Sequence, residues 1–148
     1  MNTLRITAAL RTGTLVGATT AGAVIGVGIG RGDALGPFIA AGRMLLSTPG
    51  GLVPLPWLAF LSGIVLHVIL MLAVGGIFAL FAARARGPVL VSSAAAYAVL
   101  VYLVVRWIGW RALGAFGAIP GSLPQWIFLL ALLAAALIAG VRWSRVSH

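Results

Sequence analysis

The chain has no cysteine, no lysine and no glutamate, and Asp33 is its one acidic residue. Without cysteine there is no disulfide framework, no thiolate nucleophile and no thiolate-held zinc or iron–sulfur site. A lone carboxylate excludes paired-carboxylate hydrolysis, calcium loops and two-metal centres, each of which needs several acids. The phosphate-cradling loop of nucleotide hydrolases needs a lysine, so that chemistry is excluded too. Charged residues of both signs make up 7% of the 148 residues, against about 25% in a soluble domain. A surface so poor in charge finds its solvent in lipid.

What is present fits that solvent. Hydrophobic residues make up 62% of the chain and 20 residues are glycine, with a mean hydropathy of +1.18. A bilayer span needs about 20 mostly apolar residues, and four segments qualify, at about 12–30, 57–83, 89–108 and 124–141. The chain is therefore expected to be an all-α membrane protein, a single domain of four transmembrane helices over residues 1–148. Arg5 and Arg11 ahead of the first segment also fit the opening of a cleaved leader. We read that segment as a permanent span.

All ten basic residues are arginine, giving a net charge of +9. They are scattered singly and in pairs between apolar runs, whereas a nucleic-acid site gathers them on one wet face. No nucleic-acid partner is expected. Arg5, Arg11, Arg84, Arg86, Arg142 and Arg145 fall on one side of the four spans. Arg31, Arg43, Arg106 and Arg111 fall on the other, with Asp33. The excess of arginine predicts cytoplasmic N and C termini in a bacterial inner membrane. Trp57, Trp107, Trp110 and Trp126, with Arg84 and Arg86 at the turn between the second and third spans, are expected to anchor the helix ends at the interface. The segment after Val141 is expected to rest on anionic lipid.

Two outer connections, about 33–47 and 109–120, are apolar but too short and too interrupted to cross, and predict interfacial or re-entrant segments. Ala34-Leu35-Gly36-Pro37-Phe38 resembles Ala112-Leu113-Gly114-Ala115-Phe116. The chain can accordingly be read as two tandem helix–outer segment–helix units.

Four features bear on function. Thr14, Ala18, Gly22, Gly26 and Gly30 are small residues spaced by four, with Gly13 and Gly17 forming a second stripe beside them. Such spacing lets two helix backbones approach closely in lipid, either inside this bundle or against another subunit. His67 is the one ionisable residue at hydrocarbon depth, roughly 15 Å along its helix from Trp57. An intramembrane ionisable group is a functional candidate by default. Tyr102 stands at similar depth on the returning helix, so His67 can bond Tyr102 or a backbone carbonyl; it can also ligate a haem or chlorophyll-type pigment, or relay a proton. Ser62 is five residues from His67, which is about 140° around a helix, so the two face apart and form no hydrolytic pair. Arg106 can pair with Asp33 or reach up to the headgroups.

Two resemblances attach to these residues. Gly22 to Gly30, G-A-V-I-G-V-G-I-G, resembles the glycine-rich first helix of rotary ATPase ring subunits, but the working carboxylate of that family has no counterpart in either following helix. Trp57 to Ala83, with a glycine shortly before a lone mid-helix histidine and then Gly-x-Phe-Ala, resembles small uncharacterised bacterial four-helix membrane proteins. That resemblance implies the helix count and no activity. The expectation for function is a non-catalytic accessory or structural subunit, packing through small-residue helix faces among other integral membrane subunits and lipids of a respiratory or photosynthetic type of complex. The alternatives are a small transporter or channel, and a pigment- or haem-binding subunit using His67.

Overall fold

The computed structural model describes residues 3–46, 55–113 and 123–146, with side chains for 5–46, 55–107 and 123–145. Among the described residues the chain is helical, with no strand. The order is α1 (Thr3–Gly30), α2 (Gly36–Leu46), α3 (Pro56–Phe81), a 3₁₀ turn (Ala82–Arg84), α4 (Gly87–Leu113) and α5 (Leu123–Val146). Helices α1, α3, α4 and α5 are each long and apolar enough to cross a membrane, and α3 is the most hydrophobic of the four.

Each long helix overlaps its expected span, with shifted ends. Helix α1 begins nine residues before the expected start at residue 12, because Arg5, Thr7 and Arg11 dilute hydropathy without interrupting the backbone ladder. Its stop is explicit. Gly32 takes a left-handed φ of 76°, its N–H donates to Ile29 O, and the Asp33 N–H donates to Gly28 O at 2.9 Å. These paired bonds form a Schellman stop, which needs a residue free of Cβ strain at that position. The Asp33 carboxylate then accepts from the Gly36 N–H at 2.8 Å, at the start of α2.

The first outer connection, 33–47, contains the eleven-residue helix α2, tucked along α3 with Phe38 and Gly42 buried. A Cβ on Gly42 would strike the Ala59 carbonyl, and one on Gly63 the Phe38 carbonyl. Of the second connection, 109–113 continues α4, and 114–120 lies outside the described residues along with most of the matching repeat unit.

Helix α1 is central, packed along both α3 and α5, while α4 leans mainly on α5. The contacts run antiparallel. A Cβ on Gly75 would sit 2.5 Å from Gly13 Cα, and one on Gly140 would sit 2.8 Å from Thr12 Cα. On the other side Leu90, Ala94 and Ala98 of α4 pack with Leu133, Leu137 and Val141 of α5. Tyr97 joins α4 to α3 by donating from its hydroxyl to Val74 O at 3.0 Å.

Candidate functional site

The α1–α3 seam positions His67. Small residues bring the helices together, with Gly13 facing Leu72 and Gly17 facing Met71. One turn further along, His67 Nε2 lies 3.2 Å from Thr20 Oγ1 and 3.3 Å from Gly17 O. The Thr20 hydroxyl has one proton, and its shortest bond is to Val16 O at 2.8 Å. With that proton directed to Val16, Thr20 Oγ1 accepts, and so does Gly17 O. Nε2 is therefore the nitrogen that carries the proton. The ring meets the Phe38 ring of α2 edge to face, at 5.5 Å between centroids. His67 thus ties three helices together.

This geometry corrects the expected pairing with Tyr102. The Tyr102 hydroxyl accepts from Arg106 Nη1 at 3.1 Å, and its ring stacks on Trp126 at 4.9 Å. Equal depth gave the two residues a common height, but α3 turns its histidine toward α1, away from α4. The alternative bond of His67 to a backbone carbonyl is the one formed. Arg106, which bonds Tyr102, does not pair with Asp33, whose carboxylate is turned to α2. Chemically, His67 is a satisfied interhelical donor. Ligation of a haem or pigment through Nε2 would first require breaking both contacts to α1. Among the described residues no three His, Cys, Asp or Glu side chains gather where a metal ion could sit.

The second candidate is the outer face of α1. Thr14, Ala18, Gly22, Gly26 and Gly30 are all exposed, and a Cβ built on any of the three glycines meets nothing within 4 Å. Among the described residues the stripe is therefore unused. Packing falls to the neighbouring stripe, where Gly13 is buried. Near the outer end of the open face lies a shallow cleft of about 450 Å³ between α1 and α5, bordered by Gly22, Gly26, Gly30, Arg31, Gln125 and Phe128. Arg31 Nη2 donates to Gln125 Oε1 across it at 3.2 Å.

The expected anchors divide. Trp57 and Trp107 are more than half exposed, and Arg84 and Arg86 are exposed. Trp126 is half-buried against Tyr102, and the Trp110 side chain lies outside the described set. Two residues that carry structure were not singled out from the sequence. Thr20 receives His67. Arg145 Nη2 reaches three carbonyls of the α3–α4 turn, Ala82 at 3.0 Å, Ala83 at 3.1 Å and Ala85 at 2.7 Å. The spacing of Thr20 three residues after Gly17 was the available signal for the first. None existed for the second, because its partners are backbone atoms about 60 residues away.

Comparison of the chain with protein-family models, with curated proteins and with solved structures returns no match.

Proposed function

We propose that the chain is a non-catalytic packing subunit of a larger membrane assembly, which docks an apolar helix of another subunit onto the Thr14–Ala18–Gly22–Gly26–Gly30 face of α1. The observation that carries this reading is the open stripe itself: five small residues in line, exposed along some 16 residues of helix, with no side chain of the described residues over the glycines. In lipid, where helices gain little from the hydrophobic effect, close backbone approach at such a stripe is a main source of association. The shortage of titratable groups supports a structural role over coupled transport, which relies on intramembrane charge. The hydrogen-bonded state of His67 Nε2 supports a structural role for that residue over a ligating one. In this reading the arginine-rich end faces the cytoplasm of a bacterial inner membrane.

Native mass spectrometry on protein extracted from its own membranes in a mild detergent tests the proposal. The expected result is a mass well above one chain that resolves into unlike subunits, and that falls to the single chain when Gly22→Leu or Gly26→Leu is introduced. A lone chain or a homo-oligomer in the unmodified protein would overturn it.

A further inference from the structure

The arginine-rich end has a second character besides its charge. Arg84 and Arg86 flank the α3–α4 turn, both exposed and both without an acceptor among the described residues. Arg142, also exposed, lies one turn before Arg145 on α5. Arg145 is already committed, because its guanidinium holds the three carbonyls that close α3. That contact offsets the negative end of the α3 dipole and leaves the turn positive. Helix α4 starts here, at Gly87, with no acid in its first turn. Gly87 has a left-handed φ of 53° and Pro88 has no N–H, so Val89 supplies the first helical N–H without an intrahelical partner or a countercharge. Nearby, Arg11 packs on the Trp143 ring at 5.8 Å, and its Nη1 is buried with no acceptor. The one acid of the chain, Asp33, is at the opposite end. Directly beside these cations the surface turns apolar, with Phe81 84% exposed and Val89 59% exposed.

We infer that the α3–α4 turn is a binding site for an anionic phospholipid. The headgroup phosphate sits between Arg84, Arg86 and the N-terminus of α4, and the acyl chains lie along Phe81 and Val89. Bidentate guanidinium groups suit a phosphate diester, and a helix N-terminus adds oriented N–H donors. The adjoining exposed phenylalanine and valine select a lipid over a soluble anion, since only the lipid covers both the charged and the apolar surface. This goes beyond docking through α1, and its test uses the isolated chain, so it stands or falls separately.

The experiment is native mass spectrometry of the full chain in neutral detergent, with equal concentrations of dioleoyl phosphatidylglycerol and dioleoyl phosphatidylcholine, and a parallel sample with inorganic phosphate. Retention of phosphatidylglycerol is expected to exceed that of phosphatidylcholine at least tenfold. Each of Arg84→Ala and Arg86→Ala should reduce that preference about fivefold, the size of one cation's contribution near an anionic headgroup. The paired Arg84→Lys, Arg86→Lys variant should keep most of it, and Arg31→Ala at the opposite end should leave it unchanged. Circular dichroism confirms folding of each variant. Equal retention of the two lipids, or a preference indifferent to Arg84 and Arg86, would overturn the site. Binding of inorganic phosphate as strong as that of phosphatidylglycerol would also overturn it, by making it a soluble-anion site.

Discussion

Two stripes of small residues run down α1, and the bundle treats them oppositely. Gly13 and Gly17 lie against α3, close enough that a methyl group on Gly13 would press to 2.7 Å from Leu72 Cα. Thr14, Ala18, Gly22, Gly26 and Gly30, about 100° around the same helix, face outward with open space above the glycines. The chemistry of the two stripes is nearly the same. What differs is the partner: α3 offers Gly75 and Gly76 at the matching height, and α5 offers Gly140 opposite Thr12, so two backbones close on α1 there. A small-residue stripe states that a backbone can be approached. A second stripe at the same depth states that it is.

That contrast can be broken from its inner side first. Gly75→Ala must push α3 away from Gly13, and overpacking of this kind costs about 1–3 kcal/mol; Gly75→Leu should not be recovered folded. Unfolding in a dodecyl sulfate titration measures the first, and a wild-type midpoint for Gly75→Ala would show that the seam yields freely. Next in size is Arg145→Lys, which keeps the charge but cannot fork across three carbonyls. A loss of about 1.5 kcal/mol is expected, read by the same titration with Arg142→Lys as the control. The His67–Thr20 contact should be smaller still. A double-mutant cycle of His67→Ala and Thr20→Val should give a coupling of about 0.6 kcal/mol, and at most about 1.7, the range of polar contacts between helices in lipid; zero coupling would mean that Gly17 O alone holds the ring. Smallest is the outer stripe. Gly22→Leu and Gly26→Leu should shift the stability of the isolated chain by less than about 0.5 kcal/mol, as exposed sites do, while abolishing assembly with other subunits. If either destabilises the lone chain as much as Gly75→Ala, the two stripes are not distinct.

Much of the fold was legible because lipid enforces a simple rule, that each crossing is a continuous apolar helix. All four long helices follow it. Their ends were less legible. Arg5, Thr7 and Arg11 interrupt the apolar residues Leu4, Ile6 and Leu10 in the first turns of α1, yet the helix persists there, since hydrogen-bond continuity is indifferent to the polarity of Arg5 or Arg11. The segment 33–47 read as interfacial or re-entrant from its length and its glycine and proline interruptions, which say nothing of the helix it packs on. The four-residue spacings of Phe38 with Gly42 and of Ala59 with Gly63 could have paired α2 to α3. His67 was legible as a special residue but not as to its partner. Depth fixes height along a helix and leaves azimuth open; His67 lies four and eight residues before Met71 and Gly75, which face Gly17 and Gly13 of α1, so the α1-facing side of α3 sets its azimuth.

The Arg145 contact also ties the direction in which α5 crosses the bilayer to the integrity of a turn some 60 residues earlier in the chain. If α5 ran the other way beside the hairpin, Arg145 would stand at the far end of the bundle, and the Ala83 and Ala85 carbonyls would lose their side-chain donor while Ala82 O kept only the Ala85 N–H. The direction of α5 relative to the α3–α4 hairpin is thereby tied to folding: an inverted α5 lacks the clasp, and the helix in its observed direction is held by it.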